Sequence, residues 1–279
     1  MQHILLPTDL SDNSKNAIRY ALELFSGKSC SFYFLNVQKN SNFVSETFMS
    51  EPDVDTMVQS VTIDYKQRLK EFALPIMQEF EAESYTFKVD VEFEPLCDSI
   101  NQLIITENID LLVIGSHGTT GAKEVLFGST TLRVIRNVAC PMLVIPEGRK
   151  FKGLNSILFT AGSCRDIKNP AAKPLLDLIH LFNPHLHLLK LKARNKGPLH
   201  DCDGCVMDVL KDLDYESHTL RGIPIPLAVD AYMQLNRVDI QALFVLEESI
   251  LDRFMFGSET EKIVYASPVP LLLLPKTNP

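Results

Sequence analysis

The chain has 279 residues, 46% apolar and 22% charged, a balance that excludes a disordered or low-complexity protein. That length predicts about two domains, each large enough to bury its own core. A formal charge of -8 excludes general affinity for nucleic-acid backbones, so any phosphate must be held by a local arrangement of groups.

In chain order, short apolar runs alternate with stretches of helical period, the pattern of βαβ units around a parallel sheet. The opening run His3 to Leu6 is a strand, preceded by neither the basic region nor the apolar core of a signal peptide. With no apolar run long enough to span a bilayer, this predicts a cytoplasmic protein with no membrane partner. Ser11-Asp12-Asn13 can cap a helix whose buried face is Ala17, Ile18, Ala21, Leu22 and Phe25. Phe32 to Val37 is a second strand, and a polar loop through Ser50 leads to a long helix with Val54, Val58, Val61, Tyr65, Leu69, Phe72 and Met77. Phe87, Val89, Val91 and Phe93 alternate with charges as a half-buried strand does, and Asp98 can cap a helix bearing Ile100, Leu103 and Ile104. Leu111 to Ile114 reads as a central strand, and Cys140 to Ile145 closes the first half.

After the linker Pro146 to Lys150 the order repeats: a strand Ser156 to Phe159, a helix through Leu175 and Ile179, and a strand His187 to Leu191. A shorter middle region, a strand Ala242 to Leu246, a helix and a last strand Val269 to Leu274 follow. Gly128-Ser-Thr-Thr-Leu-Arg-Val-Ile is echoed by Gly257-Ser-Glu-Thr-Glu-Lys-Ile-Val. Cys140-Pro-Met-Leu-Val-Ile-Pro146 is echoed by the run from Ser267 to Pro275. Two copies of one domain, residues 1–147 and 148–279, are the simplest account.

The stretch with chemical content is Ile114-Gly115-Ser-His-Gly118 through Gly128-Ser129, between an apolar strand and a helix. Glycines admit positive φ and bring backbone N–H groups close to an anion, and a helix N-terminus adds further donors. Gly115, two residues, Gly118, nine residues and then Gly128-Ser129 resembles the nucleotide-binding pattern of the universal stress protein family. The opening Ile-Leu-Leu-Pro-Thr-Asp9 resembles that family's first strand, and the likeness extends over both halves. The resemblance implies an α/β fold of two tandem domains, of the adenine nucleotide alpha hydrolase-like, flavodoxin/Rossmann-like type. Each would be a five-stranded parallel sheet of order 3-2-1-4-5 flanked by helices.

It further implies a cytoplasmic stress-response regulator that binds ATP, or AMP or ADP, with Mg²⁺ as a possible companion, in the first domain. Pro7, Thr8, Asp9, Val37, Ile114, Gly115, Gly118, Gly128, Ser129 and Thr130 would form the site. Asp9 would repel phosphate and so belongs on the adenosine side, accepting from ribose or adenine. Val37 and Ile114 would meet the base or ribose; the glycines, the Ser129 hydroxyl and the Thr130 amide would hold phosphate. Glycines serving only a tight turn, and Ser129 serving only as a helix cap, are the competing readings. His117 and Lys123 can touch phosphate or stand solvated.

In the second half Leu246, Glu247, Glu248 and Ser249 stand where Gly-Ser-His-Gly stands in the first, and Thr160-Ala-Gly162 replaces Pro7-Thr-Asp9. Carboxylates there would oppose phosphate, which makes this half a degenerate copy, with Gly257-Ser258 kept as a helix start. His200, Cys202 and Cys205 are weak metal candidates, with His218 or Cys164 as a fourth ligand, against a reading as plain thiols. The six cysteines, Cys30, Cys97, Cys140, Cys164, Cys202 and Cys205, are too scattered for a disulfide framework. A Walker P-loop is absent and no catalytic residues emerge, so enzyme activity is at most slow ATP hydrolysis. A scaffold acting through protein contacts alone is the other reading. Family dimers imply pairing of the last strands of the two halves in an intramolecular pseudo-dimer; homo-oligomers and an unknown protein partner stay open.

Overall fold

The computed structural model describes residues 2–38, 54–116, 128–162, 164–192, 209–245 and 267–275, with the side chains of 54–61, 164, 165, 225 and 226 left aside. The chain divides into two compact units, the first ending at Cys140 and the second beginning at Pro141. Both are α/β.

In the first unit β1 (Gln2–Pro7), α1 (Asp12–Leu24), β2 (Cys30–Val37), α2 (Val54–Glu79), β3 (Tyr85–Glu92), α3 (Leu96–Thr106), β4 (Leu111–Gly115) and α4 (Ser129–Asn137) follow one another. The strands are parallel in the order β3-β2-β1-β4. Both β1 and β2 are near-continuous apolar runs because helices cover both faces of a parallel sheet, and Ile4, Leu5, Leu6, Phe32 and Phe34 are essentially inaccessible. The helix α1 begins as its sequence predicts: the Ser11 hydroxyl accepts the Ser14 amide at 3.2 Å, and Ala17, Ile18, Ala21, Leu22 and Phe25 are buried. Among the described side chains of α2 the buried ones are Leu69, Ala73 and Ile76, whereas the expected Phe72 and Met77 are only half-buried.

Another expectation fails at α3. Its N-cap is Pro95, not Asp98, which is the third helical residue. Pro95 sets the entry with φ -53°, and the Asp98 carboxylate gains from the positive end of the helix dipole without capping it.

The second unit contains β5 (Met142–Ile145), β6 (Ser156–Ala161), α5 (Lys173–Phe182), β7 (His185–Lys192), β8 (Tyr215–Arg221), α6 (Ile225–Leu235), β9 (Ile240–Val245) and β10 (Leu271–Pro275). Counted from β6, its strands stand in the order β8-β7-β6-β9-β10, which is third, second, first, fourth, fifth, and all these neighbours are parallel. Beyond β10 lies β5, paired antiparallel, with Leu271 opposite Val144 and Leu273 opposite Met142. The edge of β10 is thereby covered.

Cys30, Cys97 and Cys140 are free thiols; burial pushes Cys30 up to about 11 and Cys140 up to about 12, so both stay protonated and inert. No helix among the described residues is long and apolar enough to cross a membrane.

The ring of Phe32 sits in an aromatic cluster, edge-on to Tyr85 at 4.8 Å between centroids and stacked on Phe87 at 6.0 Å. Replacing Phe32 by Ala should cost about 3–5 kcal/mol, because a rigid β1–β2–β3 core cannot close over the void. Urea denaturation followed by far-UV circular dichroism checks this; a loss under about 1 kcal/mol would mean the cluster is not close-packed.

Candidate functional site

The strand order reverses between β1 and β4, which sit next to each other while β1's other neighbour is β2. Chain leaving the carboxyl ends of β1 and β4 therefore departs toward opposite faces, and a crevice opens between the two loops. A cavity of about 490 Å³ lies there within the first unit, lined by Pro7, Thr8, Asp9, Ser14, Val37, Gln38, Phe93, Glu94, Pro95, Leu96, Ile114, Gly115, Thr130, Thr131 and Arg133. Its volume suits a small organic ligand, for which pockets of roughly 300–1,000 Å³ are usual.

One wall is the turn after β1. Thr8 is wholly engaged: its hydroxyl bonds the Ser14 hydroxyl at 2.8 Å and accepts the Leu10 amide at 3.0 Å, while its carbonyl accepts the Asn36 side-chain amide at 2.7 Å. It pins the turn and has little left for a ligand. Asp9 is exposed, and one carboxylate oxygen accepts the Ser11 amide at 3.1 Å, the Asx-turn habit that holds the carboxylate in place with its second oxygen available.

The floor is apolar. Val37 ends β2, Ile114 nearly ends β4, and Phe93, Pro95 and Leu96 arrive on the connection from β3 to α3. Gln38 stays beside them because its backbone N–H donates to the Glu92 carbonyl at 2.9 Å, continuing the β2–β3 ladder by one residue.

Thr130, Thr131 and Arg133 bring the first turn of α4 into the lining. Gly128 is the N-cap and gives the helix no capping side chain, and the first turn contains no acidic residue. The first backward bond runs from the Leu132 amide to the Gly128 carbonyl at 3.0 Å, so the amides of Ser129, Thr130 and Thr131 precede the helix's own ladder. Arg133 stands one turn further on. The start of α4 with Arg133 is therefore an electropositive part of the lining.

Two glycines act differently from expectation. The Gly128 amide donates to the Ser116 carbonyl at 2.8 Å, and its φ of -60° is open to any residue, so it is not a bare amide for an anion. Gly115 also lacks a positive φ. A Cβ there would come within 2.5 Å of the Asn13 side-chain nitrogen, so the missing side chain makes room for buried Asn13 of α1. The Thr131 hydroxyl then donates to the Gly115 carbonyl at 3.0 Å and ties α4 to the end of β4.

Of the residues predicted for the site, Pro7, Thr8, Asp9, Val37, Ile114, Gly115 and Thr130 line the cavity; Gly128 and Ser129 stand beside it at the start of α4. Gly118 lies outside the described residues, as do His117, Lys123, His200, Cys202, Cys205, Leu246, Glu247, Glu248, Ser249, Gly257 and Ser258. Sequence reasoning missed Ser14, Gln38, Phe93 to Leu96, Thr131 and Arg133. The signals were present: Pro95 stands between β3 and α3 as a helix-start residue, and Arg133 sits three residues after Thr130, on the same helical face. In the second unit the strand corresponding to β1 is followed by Gly162, whose amide donates to the Asp166 carboxylate at 2.8 Å, in place of an exposed Asp9.

The sequence model of the universal stress protein family matches residues 1–146, more than half of the chain. Two universal stress proteins of Methanocaldococcus jannaschii are similar: one is 28% identical over 53% of this chain and 83% of its own length, the other 27% identical over 51% and 93%. A solved universal stress protein structure from Archaeoglobus fulgidus superposes with TM-score 0.69 at 17% identity, covering 99% of this chain and 98% of that one, which shows a shared fold. The chain belongs to the universal stress protein family.

The contact between Gly115 and Asn13 gives a measurable consequence. Gly115→Ala should destabilise by about 1–3 kcal/mol, the usual cost of overpacking. Asn13→Ala in the same chain should recover much of that loss. A thermal-melting double-mutant cycle with no coupling would refute the packing account.

Proposed function

We propose that the first unit of this universal stress protein binds an adenine nucleotide, ATP or its products ADP and AMP, and that the protein is a nucleotide-dependent regulator of a stress response. The observation that carries this reading is the mixture of groups lining one cavity: the Asp9 carboxylate, apolar Val37, Phe93, Leu96 and Ile114, and the uncapped first turn of α4 with Arg133. A nucleoside phosphate has the matching groups. Ribose hydroxyls donate to a carboxylate, an adenine ring packs on Val37, Ile114, Phe93 and Leu96, and phosphates take the amides of Ser129 to Thr131 and the Arg133 guanidinium.

Mg²⁺, where it accompanies the phosphates, would be held mainly by them and by water. The repeat supports tandem domains at 1–147 and 148–279, and the antiparallel pairing of β5 with β10 supports an intramolecular pseudo-dimer of the two copies. Gly162, with its amide engaged by Asp166, supports a second copy without the same ligand.

Titrating the full chain with ATP, AMP and adenosine while following its melting temperature tests the proposal. A ligand bound by the folded state alone adds about 2.7 kcal/mol at a hundred times its dissociation constant. Asp9→Ala should weaken all three ligands about tenfold or more, whereas Arg133→Ala should weaken ATP and AMP but spare adenosine, since a charge-assisted hydrogen bond contributes about 1.5–3 kcal/mol. No shift at millimolar ATP would sink the reading in favour of the scaffold, and turnover lost with Arg133→Ala would make the protein a slow ATPase.

A further inference from the structure

At the edge of the second unit, β7 and β8 are parallel neighbours with His187 opposite Glu216. Because successive side chains alternate between faces, His185 shares the face of His187, and Asp214 and His218 flank Glu216 on that same face. The Tyr232 hydroxyl of α6 donates to a Glu216 carboxylate oxygen at 2.8 Å, and the Nδ1 of His187 lies 2.6 Å from that oxygen. His218 Nε2 is 3.4 Å from the other Glu216 oxygen, and His185 Nδ1 is 2.9 Å from Asp214. One donor atom from each of His185, His187 and Glu216 falls within 4.8 Å of the other two.

The first unit supplies an internal control. His3 of β1 pairs with Ser31, and Ser156, its counterpart at the start of β6, pairs with His185. The repeat therefore matches Ser31 to His185 and Tyr33 to His187, and across the next ladder Thr86 to Asp214 and Lys88 to Glu216. In the first unit these positions hold a Ser31–Thr86 hydroxyl pair at 2.6 Å and a Lys88 ammonium 4.9 Å from the Tyr33 ring centroid. The second unit carries imidazole or carboxylate at all four.

We propose that His185, His187 and Glu216 form a binding site for a divalent transition-metal ion of the zinc class, with His218 as a fourth ligand, and that the ion fastens the edge strand β8 to β7. Two or three imidazoles with one carboxylate suit zinc, whereas calcium and magnesium require oxygen donors. Asp214 accepts the His185 Nδ1 proton, which fixes the ring and presents Nε2 as the donor, the usual arrangement behind a metal-bound histidine. Tyr232 holds the Glu216 carboxylate in the same way.

The site lies at the amino-terminal ends of β7 and β8. The crevice used by ligands of open α/β sheets is at the opposite, carboxyl ends, so the cluster is not a remnant of the first copy's cavity. Its mechanical value follows from place: β8 is the outermost strand and only partly buried, and a cross-link to half-buried His185 and nearly buried His187 would restrain it.

The test uses the full chain, stripped with a chelator and free of nucleotide, titrated calorimetrically with zinc chloride and melted with and without zinc. One zinc per chain and a raised melting temperature are expected. Glu216→Gln and His185→Gln should each weaken zinc about tenfold or more, while His180→Gln on α5 and the Cys202→Ser/Cys205→Ser double variant keep the parent affinity. Cobalt substitution should give visible bands without a thiolate charge-transfer band. Should Glu216→Gln fold poorly, the more exposed His218→Ala reads the same site with a partial loss. Absence of saturable zinc uptake, uptake indifferent to His185 and Glu216, or uptake lost with the two cysteines would each overturn the proposal.

Discussion

The structure of the first unit turns on one constraint: β1 must have β2 on one side and β4 on the other. In a parallel sheet with right-handed crossovers, that placement sends the chain after β1 and the chain after β4 to opposite faces. The crevice is thus a product of topology, present before any side chain is chosen. What the sequence adds is the means of keeping it open and chemically polarised. Thr8 locks the first turn through four hydrogen bonds, counting that from its amide to the Leu35 carbonyl, and Asn13 packs where Gly115 has no side chain.

Much of this was legible because the apolar runs that make β1, β2, β4, β5 and β10 are local and uninterrupted, and the Ser11 cap lies three residues before the amide it accepts from. The cavity was legible as a set of strand ends: Pro7 to Asp9, Val37, and Ile114 with Gly115. The reason for each residue was less legible. Gly115 reads as a phosphate-facing glycine in one dimension, yet its neighbour in space is Asn13, 102 positions earlier by their numbers. The hydrogen bond from the Gly128 amide to the Ser116 carbonyl is a contact that spacing alone does not encode. Arg133 was missed because a basic residue within a helix ordinarily reads as a solvated face, and only the docking of α4 through Thr131 turns it to the cavity.

Duplication explains why one scaffold carries two such different surfaces. A repeated copy inherits the ladder register, so every position has a counterpart and substitution can change chemistry without changing pairing. The Tyr33–Lys88 pair and the His187–Glu216 pair occupy the same place in their ladders, yet one is a cation over a ring and the other an imidazole against a carboxylate. The crevice end diverged in the opposite sense. Asp9, exposed in the first copy, gives way to Gly162, whose amide is used internally by Asp166. The two copies thus place their polar chemistry at opposite ends of the same sheet pattern.

A chain of net charge -8 would seem a poor host for an anionic ligand. The relevant scale is the screening length, about 8 Å at physiological ionic strength, beyond which the summed surface charge contributes little. Inside that distance the start of α4 offers amides before its own ladder begins, no acidic residue in its first turn and Arg133 one turn on. The nearest carboxylates of the lining, Asp9 and Glu94, sit on the turn after β1 and on the approach to α3, away from that helix start in the chain and on other elements of the wall. On the proposed reading, anion binding would depend on these local groups and not on the net charge.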